Sequence, residues 1–193
     1  MLVTDARCGA SLAKQFTHAL WAERKRYELM SRVIEKDWTT ESGLRAVVLM
    51  TDMGHRCGYV GIGTDHPLFG VDYSERHPSL TLNPERSTEK MSPIQILIGA
   101  AKGVDELNSP EYVFEVHGGI TYSSYGDGKY PVESNLWWYG YDCGHAGDLP
   151  APNSELAKIY ASSGLDRDGE HRTLEFCIAE CESLATQLKG FSA

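Results

Sequence analysis

Leu174, Cys177, Ile178, Cys181, Leu184, Ala185 and Leu188 recur at helical spacing near the end of the chain, opposite a face bearing Glu175, Glu180, Glu182 and Lys189. A helix with such a stripe is held mainly by the surface its apolar face covers, so the rest of the chain must supply that surface. The remaining runs point to a sheet. Residues 44–50 are apolar and β-branched, residues 59–62 form a second such run, and Thr51-Asp52-Met53-Gly54-His55-Arg56-Cys57-Gly58 between them reads as the connection of a hairpin. Residues 112–117 alternate, with Val113, Glu115 and His117 on one face and Phe114 and Val116 on the other. Residues 136–141 form an aromatic strand, with Asp142 continuing the Leu136/Trp138 face. Turn-forming residues between these two runs predict that they lie side by side and antiparallel.

Three further helices are expected. Leu12, Phe16, Leu20, Tyr27, Met30 and Ile34 predict an amphipathic N-terminal helix over about 11–37. Ser92 and Pro93 look like the cap and first position of a short apolar helix over 94–101, buried by its composition. Pro150, Pro152 and Asn153 precede a short helix containing Leu156, Ile159 and Tyr160. Residues 63–92, with three prolines, read as a long surface excursion. Within it, His66-Pro67-Leu68-Phe69-Gly70 either walls a pocket or plugs an apolar surface. The expected class is α+β: a mainly antiparallel sheet flanked by N-terminal and C-terminal amphipathic helices. At 193 residues one domain is expected, with its core over about 44–190.

A net charge of −9, with Arg24-Lys25-Arg26 as the only dense basic run, argues against duplex nucleic acid as a partner. It leaves room for a small anion held by backbone amides. No apolar run approaches the roughly 18–20 residues that span a bilayer, and the N-terminus lacks the pattern of a secretory signal, so a soluble cytoplasmic protein is expected. Five cysteines without CxxC spacing suggest reduced thiols rather than a disulfide framework or zinc knuckle. Cys177 and Cys181 on the apolar stripe read as core.

The chemistry concentrates where the two later strand-like runs end. Gly118-Gly119 permits positive φ and can form a nest for a carboxylate or phosphate, or equally a β-bulge or tight bend. Thr121 and Tyr122 add hydroxyls beside it. Asp142-Cys143-Gly144-His145-Ala146-Gly147-Asp148 places two carboxylates, an imidazole and a thiol within seven residues. With His117, the set His145, Asp142 and Asp148 offers the mixed N/O donors that zinc, manganese or iron accepts, and a metal-bound water would be the nucleophile. No HExxH spacing accompanies it. Metal-free acid/base chemistry needs only a histidine oriented by a carboxylate. Cys143 is open to two readings, a thiolate nucleophile or a small buried residue. The whole block also has a structural reading, in which both aspartates accept backbone hydrogen bonds. His55 sits in a glycine-flanked turn as a conceivable partner for His145. Trp137, Trp138, Tyr139 and Tyr141 cannot all face one way, so one set of rings stacks on a ligand, with Trp138 the candidate, or packs in the core or against a second subunit.

Gly54-His55-Arg56-Cys57-Gly58-Tyr59-Val60, His66-Pro67-Leu68-Phe69-Gly70-Val71-Asp72-Tyr73, Val116-His117-Gly118-Gly119-Ile120-Thr121-Tyr122, Tyr141-Asp142-Cys143-Gly144-His145-Ala146-Gly147-Asp148 and Glu180-Cys181-Glu182-Ser183-Leu184-Ala185 together resemble a family of small uncharacterised proteins encoded by bacteriophages and by bacteria. The resemblance runs from about Met53 to Leu188 and carries no catalytic assignment. It implies a setting of host take-over or counter-defence, where small proteins bind, sequester or degrade nucleotide-derived signals.

The expected function is hydrolysis of a small anionic, nucleotide-like ligand. In it, His117 and His145 act as acid/base or metal-binding pair, and Asp142 and Asp148 orient them or share a divalent metal. Gly118 and Gly119 bind the anionic group, with Thr121, Tyr122 and Trp138 assisting recognition. The alternatives are a protein that sequesters the same ligand unchanged, and an interaction or homo-oligomerisation module built on the first helix and the aromatic strand.

Overall fold

A computed structural model of the chain describes residues 32–83, 89–91, 93–103, 107–128, 130–164 and 168–191. Its sheet has five strands in the order β1-β2-β3-β5-β4: β1 (Val33–Thr39), β2 (Arg45–Met50), β3 (Arg56–Ile62), β4 (Tyr122–Tyr125) and β5 (Trp137–Asp142). Every neighbour pair is antiparallel. Among the described residues the α-helices are α1 (Pro93–Ala101), α2 (Pro110–Val113), α3 (Glu155–Ser163) and α4 (Leu174–Phe191). Two short parallel strands, β6 (Asp148–Leu149) and β7 (Glu170–His171), form a separate ladder. This is the expected α+β class, with an antiparallel sheet and a C-terminal helix. Among the described residues, no helix is long and apolar enough to cross a membrane.

The stripe on α4 finds its surface on one face of this sheet. Cys177, Cys181, Leu184, Ala185 and Leu188 pack with Ala46, Val48, Val60, Ile62, Tyr139 and Tyr141. The opposite face buries Val47, Leu49, Cys57, Tyr59 and Trp138 under Tyr122, Tyr130, Val132 and Leu136. Both faces of β5 are therefore covered, which is why Trp138, Tyr139 and Tyr141 are all buried, with Trp137 at the strand's start half-buried.

The register of the two central strands has a steric basis. Gly58 pairs with Tyr141 and Tyr59 with Gly140, so each tyrosine lies across a glycine on its own face of the sheet. An ideal Cβ at Gly140 would stand 2.4 Å from the Tyr59 ring, and one at Gly58 would stand 2.4 Å from the Tyr141 ring. A one-residue slip would set these rings against side chains instead.

Several expectations change. Most of the expected N-terminal helix lies outside the described residues, but its last part, 33–37, belongs to β1 and pairs with β2. Only Ile34 supported the helical reading there, and β-branched and aromatic residues with an available strand edge favour extension. Residues 112–117 are not a strand either. Pro110 at the N-terminus of α2 and Ser109 before it start a helical turn, after which the chain straightens. The antiparallel neighbours of β5 are instead β3 and β4, and β4 runs into the segment where a turn was expected. The apolar α1 is not buried: Leu97 is 71% exposed, and Ile96 and Ile98 also face outward.

The extended stretch after α2 still alternates as read, with Phe114 and Val116 in the core. Its polar partners are side chains of α4. The Gln187 amide accepts from Glu115 N at 2.7 Å and donates to Glu115 O at 2.8 Å, and Glu180 Oε2 accepts from His117 N at 2.7 Å. Two side chains seven positions apart on a helix thus take the place of a strand neighbour. Glu180, read as part of the wet face, is buried for this purpose.

The loop after β3 plugs the core. Leu68 and Leu80 are buried, Tyr139 Oη donates to Val71 O at 2.7 Å, and His66 Nε2 bonds Leu188 O at 2.9 Å. The Leu68 amide donates to His66 Nδ1, so Nε2 carries the proton given to Leu188.

Candidate functional site

Asp142 ends β5, and the chain turns back to Asp148 at the start of β6. The turn is fixed locally: Gly144 N donates to Asp142 Oδ1 at 2.9 Å, Asp148 N donates to His145 O at 3.0 Å, and Gly147 adopts a φ of +89°. Asp148 is 2% exposed. Its Oδ1 accepts from Arg172 Nε at 2.7 Å, while Oδ2 lies 2.8 Å from His117 Nε2 and accepts from His145 N at 3.1 Å. Burial works against the charge on this carboxylate. The hydrogen bonds from His117 and Arg172 outweigh it, and the carboxyl is held below its ordinary range.

His117 and His145, 28 residues apart in sequence, meet edge to face with ring centroids 5.7 Å apart. His145 Nδ1 lies 3.8 Å from Asp142 Oδ1 and 3.8 Å from Asp148 Oδ2. Both are beyond hydrogen-bond reach, and the buried Nδ1 has no hydrogen-bond partner. Thr121 Oγ1 donates to Asp142 Oδ2 at 3.2 Å, completing the second carboxylate's support.

Gly118 and Gly119 have φ values of +69° and +83°. Their missing side chains matter as much as their dihedrals. A Cβ on Gly118 would stand 2.0 Å from the His145 ring, and one on Gly119 would stand 2.1 Å from the Gln95 amide. The double glycine therefore lets the imidazole and the α1 glutamine approach the backbone closely. Gly119 N donates to Val116 O at 2.9 Å, which removes that group from an anion nest.

Of the expected residues, His117, His145, Asp142, Asp148, Gly118 and Thr121 come together. Trp138 and Tyr122 do not: Trp138 is fully buried and Tyr122 packs on Tyr59 and Tyr130, both on the sheet face away from α4. Cys143 is buried, with its Sγ 3.7 Å from Cys177 Sγ. That hydrogen bond and burial raise its thiol pKa, the opposite of what a thiolate nucleophile needs. The His55 ring lies beside Gly144 and Asp142, at the margin of the cluster.

Four residues that sequence reading missed complete the surroundings. Arg172 clamps Asp148, and its guanidinium lies over the Phe176 ring at 5.0 Å. Phe176 also meets the His117 ring edge to face at 5.4 Å. Arg56, paired with Glu35, donates to Arg172 O at 2.7 Å and so fixes the backbone that presents Arg172. Glu180, paired with Lys90 at 2.6 Å, holds His117 through its amide. Glu180, expected on the outer face of α4, lies instead on its buried stripe with Cys177, Cys181 and Leu184, three positions from Cys177 and four from Leu184.

Two imidazoles, one carboxylate kept ionised and another at hand can take and return protons or hold a cation. Among the described residues, His117, His145 and Asp148 are a group whose donor atoms all lie within 4.8 Å of one another. Comparisons with protein-family models, curated proteins and solved structures found no match.

Proposed function

We propose that this cluster is a hydrolytic centre acting on a small anionic ligand, with the nucleotide-derived class taken from the resemblance to phage and bacterial proteins. The observation that carries the reading is the unbonded Nδ1 of His145, buried between two carboxylates whose other hydrogen bonds are made. A buried polar atom without a partner costs about 1–3 kcal/mol; His55 Nδ1 and Trp137 Nε1 share that state, and what sets His145 Nδ1 apart is a carboxylate oxygen of Asp142 and one of Asp148, each 3.8 Å away.

In this reading a water molecule at His145 Nδ1 is the nucleophile. The imidazole takes its proton as it attacks; were the cluster to hold a divalent ion at Nδ1, the imidazole would serve as its ligand and the ion would supply an acidified water in its place. Attack on a phosphoryl or acyl centre breaks the bond to the leaving group, which takes a proton from the imidazolium or from solvent. Asp148, ionised and clamped by Arg172, orients His117 and supports positive charge on the pair.

The test is to incubate the protein with a panel of cyclic, linear and diphosphate-linked nucleotides and follow each by liquid chromatography and mass spectrometry. Turnover by the wild type, lost in His145→Ala and Asp142→Asn with near-UV circular dichroism unchanged, is the expected result. Tight retention of a ligand that is recovered intact after denaturation would replace hydrolysis with sequestration.

A further inference from the structure

We infer that His117 Nε2, His145 Nδ1 and Asp148 Oδ2 are the ligands of a divalent transition metal, with Asp142 as a fourth. The inference rests on the cluster being the reactive centre and names what activates the water there.

The distances suit an ion. Zinc-type bonds of about 2.0–2.2 Å to nitrogen and oxygen set neighbouring ligand atoms about 3–3.5 Å apart. The separations are 2.8 Å between His117 Nε2 and Asp148 Oδ2 and 3.8 Å between His145 Nδ1 and Asp148 Oδ2, and one donor atom from each of the three residues lies within 4.8 Å of the others. Small ring rotations would equalise them. Asp142 Oδ1 is also 3.8 Å from His145 Nδ1 but stands outside the group of three, so it joins the ion by a shift of its side chain. The gap beside Nδ1 is too wide for a direct hydrogen bond, and a cation would satisfy the nitrogen and both carboxylates together.

The outer groups agree with this use. Arg172 on Asp148 Oδ1 leaves Oδ2 to bind through one oxygen, and Gly144 N and Thr121 Oγ1 hold Asp142. Such partners orient ligands and are part of most metal sites. Two imidazoles and two carboxylates select zinc, iron(II), manganese(II) or cobalt(II) over calcium and magnesium, which prefer all-oxygen sites. The carboxylates neutralise the ion's two positive charges. Binding requires the Nε2 proton of His117 to move to Nδ1 or to solvent. Cys143 is no ligand, since its sulfur packs against Cys177.

The experiment is titration of the chelator-stripped full chain with cobalt(II), read by visible d–d absorption, and with zinc(II) by calorimetry. One equivalent is expected to bind, with affinity reduced at least tenfold in His145→Ala and in Asp142→Asn, and unchanged in Cys57→Ala. Asp148→Asn should abolish binding; because it empties a buried clamp, its folding is checked by circular dichroism and the two other variants carry the test. No stoichiometric binding, or binding undiminished in His145→Ala, overturns the metal centre. Hydrolysis that persists in chelator would sink the metal and leave the hydrolytic reading standing. One bound metal with no substrate turned over does the reverse.

Discussion

Gly118 shows how a residue without a side chain can decide where a reactive group stands. At a φ of +69°, alanine there is strained, and its methyl group would occupy the His145 ring. Gly118→Ala should displace the imidazole and destabilise the fold by about 1–3 kcal/mol, read as a lower thermal midpoint together with a shifted His145 ring resonance. Arg172 acts through another residue, since it touches Asp148 and not the space beside His145 Nδ1. Arg172→Ala should lower turnover by about 10–100-fold with KM little changed, and Arg172→Lys should restore part of it. A structural role alone would move the melting curve and spare kcat.

Between elements, the notable contact is α4 serving as a strand neighbour for the stretch that carries His117. Gln187→Ala removes two hydrogen bonds to the Glu115 backbone and should cost about 1–3 kcal/mol, with faster amide exchange at Glu115 and His117 than elsewhere in the core. The alternation of that stretch was legible in the sequence because Phe114 and Val116 do face the core; its partner was not, because a helix side chain seven positions along leaves no local pattern. The plug loop has its own anchor. Asp72 accepts from Ser74 N and Oγ and from Ser123 Oγ on β4. Burial opposes its charge, but these bonds prevail and lower its pKa. A carboxyl depressed in the folded state adds stability that is complete above the unfolded value of about 3.9 and is lost as pH falls through the folded one. Asp72→Asn should therefore lose stability at neutral pH and show a shallower acid dependence below about pH 4, measured by urea unfolding across that range.

For the whole molecule, the β2–β3 hairpin, the aromatic strand and the C-terminal helix were legible because their periodicity is local and their burial one-sided or complete. The convergence of His117, His145, Asp142 and Asp148 was expected from the ends of two runs, and it occurs by another route: the 114–117 stretch is carried to the site by α4, not by pairing with β5. Arg172, Phe176 and Gln95 had no sequence signal, since each reaches the cluster from an element whose placement is fixed by distant packing. The paired glycines and tyrosines of β3 and β5 fix the sheet on which all this depends. Gly140→Ala, which sets a methyl group 2.4 Å from the Tyr59 ring, should lower stability by about 1–3 kcal/mol in thermal unfolding. The claim that the assembled cluster activates water is tested most directly by running the nucleotide panel in H2¹⁸O. One ¹⁸O atom in the product of the wild type, and none with His145→Ala at equal fold, is the result predicted; substrates recovered unlabelled and intact from both proteins would contradict it.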